Sequence, residues 1–158
     1  KSGGHNLDEV NDGRAEAAYK YVESLGGQSV QVDARTEHEL NDVADDDRNM
    51  FRSELGVQVD GIEALIRGAY RTLGLLTFFT TGPKESRAWT VKQGALAPDA
   101  GAAIHNDFKE KFIRAEVIGW EKLLADGSWS NARDKGDIRM EGKTYTVVDG
   151  DVMVFHHS

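Results

Sequence analysis

Cysteine is absent from the 158 residues. That removes disulfide bonds and thiolate chemistry and is compatible with a cytosolic setting. No apolar run approaches the roughly 18 residues that a membrane-spanning helix needs. The opening Lys1-Ser2-Gly3-Gly4-His5 lacks the apolar core of a secretory leader and reads as a linker-like stretch. No Gly-x-x-x-x-Gly-Lys-[Ser/Thr] loop is present to cradle phosphates. The serines fall in loops without a neighbouring histidine and acid, so no nucleophile constellation can be read. Repeats and low-complexity tracts are lacking, and so is any excess of positive charge.

What is present is ordinary for a globular chain: 39% apolar and 29% charged residues. The length suits one domain or two small ones. The net charge of −8 is uneven, with eight basic and fifteen acidic residues over 1–74 and eleven against twelve over 75–158. The first part would be repelled by a nucleic-acid backbone, and the second is close to neutral. The balance argues against a general nucleic-acid binder, and any RNA contact has to use a local basic stripe.

In the first part, Ala15, Ala18, Tyr19, Val22 and Leu25 recur at helical spacing, and Gly26-Gly27 supplies a left-handed terminator. Val30, Val32 and Ala34 alternate as a short strand. Thr36-Glu37-His38-Glu39 has capping-box spacing with Thr36 as N-cap. Asp45-Asp46-Asp47 suits the positive end of a helix that ends near Leu55-Gly56. Ile62, Leu65, Ile66, Ala69, Tyr70 and Leu73 form one helical stripe stopped at Gly74, a helix expected to pack between the two halves.

The second part reads as strands. Residues 75–81 and 87–92 form a hairpin around Gly82-Pro83-Lys84-Glu85-Ser86, and 94–98 is loop. Within 103–123 the apolar period changes. Ala103, Ile104, Phe108 and Phe112 fit a short helix and the turn leaving it, whereas Ile113, Ala115 and Val117 alternate with Arg114, Glu116 and Ile118 as a half-buried strand. A short helix over 120–125 and a surface loop over 126–136 follow. Two last strands, 143–148 and 151–155, flank Asp149-Gly150 as a hairpin turn. The pattern is α+β, a small sheet curled over one helix.

Four ordered motifs over more than 80 residues carry a resemblance. They are residues 74–92, the Ile104-His105-x-Asp107-Phe108 to Val117 segment, Glu141-Gly142-Lys143-x-Tyr145, and Asp149-Gly150-Asp151-Val152-Met153. Together they resemble the C-terminal domain of the YchF/Obg-like ATPases, a TGS domain. The resemblance implies a ubiquitin-like β-grasp fold over 75–158, preceded over 1–74 by the mostly helical α/β remnant of a P-loop G domain. Upstream, Asn6-Leu7-Asp8-Glu9 is similar to the Asn-x-x-Glu that replaces the guanine-specifying motif in that family. The base-bracketing loop, usually Ser-Ala, reads Asp33-Ala34 here. By resemblance, Asn6, Leu7, Glu9 and Ala34 are candidate base contacts, and Asn6 with Glu9 reads equally as a helix cap and first-turn acid.

The resemblance further implies a cytoplasmic parent that binds ATP or GTP with Mg2+ and acts in translation. Its hydrolytic residues lie outside these 158. The chain alone is expected to bind no cofactor or metal and to hydrolyse nothing. Lys84, Arg87, Lys92, Lys109, Lys111 and Arg114 are the candidate stripe for a ribosomal RNA or protein, with no DNA or membrane partner expected. The alternative is a standalone regulatory module that binds a protein partner or small ligand on its sheet. His105-x-Asp107 is read as structural, with Asp107 capping the turn before Phe108, and His156-His157 as an exposed tail.

Overall fold

The computed structural model describes residues 13–30, 32, 34–54, 60–82 and 85–158. The chain divides into two units between Leu73 and Gly74.

The first unit is helical. Helix α1 spans Arg14–Ser24, α2 Ala34–Glu39, α3 Asp45–Glu54 and α4 Gly61–Leu73, with a single 3-10 turn at Leu40–Asp42 after α2. The strand expected from Val30, Val32 and Ala34 does not form: Val30 and Val32 belong to no strand, and Ala34 opens α2. A lone strand leaves its backbone groups without partners, and the described part of this unit offers no second strand. Thr36 therefore lies inside the helix instead of capping it, and is buried. Glu37 is the residue that caps, at a distance in sequence. Its buried Oε1 accepts the Gly61 N–H at 2.8 Å, placing a carboxylate at the positive end of α4.

Glycine on one side of α4 permits close approach. A Cβ at Gly61 would meet Val32 Cγ1 at 2.8 Å, and one at Gly68 would meet Val30 Cγ2 at 2.6 Å. The apolar stripe expected to be buried lies elsewhere on the helix and stays exposed: Ile62, Leu65, Ile66 and Leu73 are each more than half accessible.

The second unit begins with β1, Leu75–Thr81, and β2, Ser86–Lys92, paired antiparallel from Leu75↔Lys92 to Thr81↔Ser86. Helices α5, Ala97–Ile104, and α6, Asn106–Glu110, follow, then β3, Phe112–Gly119. The loop expected over 94–98 is shorter, because Ala97 and Pro98 already lie in the first turn of α5, where proline loses no hydrogen bond. Next come α7, Trp120–Asp126, α8, Trp129–Lys135, β4, Arg139–Glu141, and β5, Asp151–His157. The sheet order is β2-β1-β5-β3-β4, with β5 parallel to β1 and antiparallel to β3.

Both faces of the middle strands are covered. On one face Leu76, Phe78, Val91, Ala115, Val117 and Met153 pack with Ala97 and Ala100 of α5. Phe155 sits among Phe78, Phe108 and Phe112 at centroid distances of 6.1, 6.1 and 6.3 Å, a range in which tilted and edge-on ring pairs attract. On the other face Ile118, Val152 and Ala132 of α8 form a smaller core with Leu123 and Trp129.

Three readings are corrected here. A register shift between Phe112 and Arg114 turns Ile113 outward, 55% exposed, so Phe112 takes the inward place. The stretch expected as a surface loop over 126–136 contains α8. Its polar and glycine residues are helix punctuation: the Ser128 hydroxyl accepts from Asn131 N–H, and Gly127 and Gly136 take left-handed caps. Finally, 143–148 is no strand of the sheet. Ala97 N–H donates to Tyr145 O and Val147 N–H to Ala95 O, so this stretch pairs with the loop before α5 and not with β5. Asp149-Gly150 is correspondingly no hairpin turn. It is stitched to β1, with Thr77 N–H donating to Asp149 Oδ1 and Gly150 N–H to Thr77 O.

Gly150 sits at φ 84° against the Trp120 indole, where an added Cβ would come within 2.5 Å of Cδ1. Gly150→Ala is expected to destabilise the sheet unit by about 2–4 kcal/mol, from the left-handed backbone and the overpacking together. A urea midpoint that matches the parent chain would contradict this. In the first unit, Glu37→Ala should cost about 2 kcal/mol through the lost helix-end carboxylate, read as faster amide exchange at Gly61 and the next turn of α4.

Candidate functional site

Asn6, Leu7, Glu9 and Lys84 lie outside the described residues. Ala34 is exposed at the start of α2. Of the remaining basic candidates, Arg87 holds its guanidinium 4.6 Å over the Trp89 ring on the outer strand β2, and Trp89 Nε1–H donates to Thr80 Oγ1 at 2.9 Å. This stacking orients the cation while leaving the strand exposed. Lys92 ends the same strand. Lys109 Nζ sits 2.7 Å from Asp99 Oδ1, and Lys111 Nζ 3.8 Å from Asp107 Oδ2, so both already have an acid beside them. Lys109 holds the Asp99 carboxyl below the usual aspartate range.

Arg114 pairs in register with His156, and Arg87 with Thr80. Thr80 follows Phe78 by two along β1, on the face that α5 covers, whereas His156 reaches Glu116 on the opposite face. Arg87 and Arg114 are thus on opposite faces of the sheet. Arg87 and Lys92 share β2 but, five residues apart, face opposite sides of the sheet, so the described candidates are not gathered into one patch.

His105, His156 and His157 make contacts within the fold. His105 caps α6, its Nδ1 accepting from Asp107 N–H at 3.2 Å, so the cap is His105 and not Asp107. His156 and His157 belong to β5 and are no tail: His157 meets the Phe108 ring edge-on at 4.6 Å. No group of three or more His, Cys, Asp or Glu suited to a metal exists among the described residues. No helix among them is long and apolar enough to cross a membrane.

Two features escaped the sequence reading. The first is a carboxylate under α8. Glu116, buried in β3, accepts from Arg133 Nη2 at 2.7 Å and Trp129 Nε1 at 3.0 Å through Oε2, and lies 3.1 Å from His156 Nε2 through Oε1. Burial pushes its pKa up, yet the Arg133, Trp129 and His156 bonds outweigh that and leave it below the ordinary 4.5. The second is a groove of about 830 Å³ beside that cluster, walled by Phe79, Val152 and Val154 of the sheet and by Trp120, Leu124 and Trp129 of α7 and α8. The two tryptophans in 120–129 were its one signal, but their convergence needs α8. Across the sheet, Tyr145 O–H donates to Asp151 Oδ2 at 2.7 Å; burial and that bond push the phenol up to about 12, so it stays a donor.

A mixed sheet whose central β5 runs parallel to β1 and antiparallel to β3, crossed by α5, is an α+β fold of the ubiquitin-like β-grasp type. The family model YchF-GTPase_C, described as "Protein of unknown function (DUF933)", matches residues 75–158, and the chain belongs to that family. It is 40% identical over 154 residues to the ribosome-binding ATPase YchF of Bacillus subtilis (strain 168), covering 98% of this chain and 40% of that protein. It is 45% identical over 134 residues to the ribosome-binding ATPase YchF of Haemophilus ducreyi, covering 85% and 37%. The chain therefore spans about two fifths or less of the curated relatives it matches. Among solved structures, the Schizosaccharomyces pombe YchF GTPase has the same fold, with a TM-score of 0.79 at 24% identity over 90% of this chain and 38% of that one. A GTP binding protein from Pyrococcus horikoshii OT3 matches at 0.66 and 17%, over 96% and 43%.

The Glu116 cluster sets an acid dependence. A carboxyl titrating lower in the folded than in the unfolded chain contributes stability that is complete above its ordinary 4.5 and is lost as pH falls through its lowered folded value. Glu116→Gln should flatten the fall of thermal midpoint below that pH. An equally steep fall in the variant would show that other carboxylates govern acid unfolding.

Proposed function

We propose that this chain is the C-terminal portion of a YchF-type P-loop nucleoside-triphosphatase and that its sheet unit docks the longer protein on the ribosome. Residues 75–158 form the TGS module, and 1–74 are the end of the nucleotide-binding domain. The observation that carries the reading is the 40% identity across 98% of this chain to a protein named as a ribosome-binding ATPase. Asn6, Leu7, Glu9 and Ala34 contact the base in the longer protein, which binds ATP or GTP with Mg2+ and hydrolyses it with residues outside this chain. Ribosome association carries with it a cytoplasmic location.

Geometry favours some basic residues over others. Arg87, stacked on Trp89 at the sheet edge, is the cation best set to meet a phosphate, whereas Lys92, five residues on in the same strand, faces the other side of the sheet. Lys109 and Lys111 contribute less, since Asp99 and Asp107 offset them. Arg114 serves a different face, and Lys84 remains a candidate from the sequence. Base readout has little support: Phe108 and Phe112 are occupied by ring contacts within the fold.

Co-sedimentation with purified ribosomes over a salt series tests the reading. Saturable binding that weakens with salt is expected, and Arg87→Ala should reduce the log–log salt slope by about 1, the share of one phosphate contact. No binding at low salt would overturn docking by this chain.

A further inference from the structure

The groove beside Glu116 has two chemically different ends, and the sheet register fixes which is which. Thr81 pairs with Ser86, and Phe79 with Val152, so Thr81 is level with Val154, which pairs with Glu116. One end therefore gathers Thr81, Ser86 and the Glu116–Arg133 pair. The other end, a row back, holds Phe79, Val152, Trp120, Leu123 and Leu124.

The polar end has donors to spare. Thr81 Oγ1 and Ser86 Oγ lie 2.9 Å apart, so one hydroxyl donates to the other and the second proton is left over. Arg133 uses Nη2 on Glu116 while its side chain stays 61% exposed, and a guanidinium carries five N–H groups. The apolar end is roomy and aromatic, and the volume of about 830 Å³ falls inside the range of about 300–1,000 Å³ usual for small-molecule sites.

We propose that this groove binds a small organic acid. Its apolar body lies along Phe79, Val152, Trp120 and Leu124, and its single carboxylate reaches Arg133 and the Thr81–Ser86 hydroxyls. The charge at one end argues for an acid over a neutral hydrocarbon or an apolar peptide segment, neither of which uses Arg133. The site is on the opposite face from Arg87.

Decanoate serves as probe and decanol as its uncharged comparison, titrated into the full chain. Two of the three tryptophans, Trp120 and Trp129, line the groove, so tryptophan emission and amide chemical shifts both report on it. Saturable one-to-one binding of decanoate is expected, with shifts at Thr81, Trp120, Trp129 and Val152. Decanol should bind about tenfold more weakly, the worth of one charge-assisted contact. The double variant Glu116→Gln/Arg133→Gln removes both charges together, leaves no lone buried carboxylate, and should abolish the preference for decanoate. Leu124→Asp, at a residue 71% exposed, should weaken both ligands without unfolding the chain. Equal affinity for the two probes, shifts away from the groove, non-saturable uptake, or capture of an apolar peptide that decanoate does not displace would each overturn the proposal.

Discussion

Placing β5 between β1 and β3 is the constraint on which the sheet unit depends. A strand parallel to β1 cannot be reached by a tight turn, so the chain must cross the sheet before delivering it. Two crossings result. The first puts α5 and α6 on one face, and the second puts α7 and α8 on the other. Because β5 is then central, Val152 and Met153 are buried toward opposite faces, and the two cores share one strand. Delivery is secured by the Asp149-Gly150 contacts with Thr77 and by the close seat of Gly150 on Trp120.

The second crossing covers its face unevenly. Helix α8 is anchored over β3 through Trp129 and Arg133, both bonded to the Glu116 carboxylate. A charge buried without partners would cost several kcal/mol. Here three side chains compensate it, and α8 is held over that strand. Its reach stops short of β1, so Phe79 remains half-buried and a groove opens between helix and strand. The cluster that stabilises the fold thus also supplies the cation at the mouth of the groove.

Much of the helical and hairpin content was legible. The stripe of α4 ending at Gly74, the hairpin of β1 and β2, and the period change into β3 all rest on local patterns of apolar residues and glycine. Legibility failed where a local signal had a distant partner. Ser128, Gly127 and Gly136 have the composition of a loop, yet they bracket a helix that only the Ile118–Val152 surface makes worthwhile. Asp149-Gly150 has the composition of a hairpin, yet its hydrogen bonds go to Thr77, 72 residues away for the Asp149 side chain. Val30 and Val32 alternate as a strand should, but with no strand to pair against among the described residues of that unit they pack on Gly68 and Gly61 instead. Of the proposed site residues, the motifs revealed the family, whereas their spatial grouping was beyond reach: Arg87 and Arg114 are separated by the pleat and the sheet.

By itself the sequence determined the class of the chain, the types of its strongly periodic elements and the absence of thiol chemistry, because these depend on residue identity and near-neighbour spacing. Tertiary structure alone decided which strand became central, which way Ile113 and Glu116 turned, and where an apolar groove was left open. Those outcomes depend on pairing register and on partners far apart in the chain, and a shift of one residue exchanges the two faces of a strand.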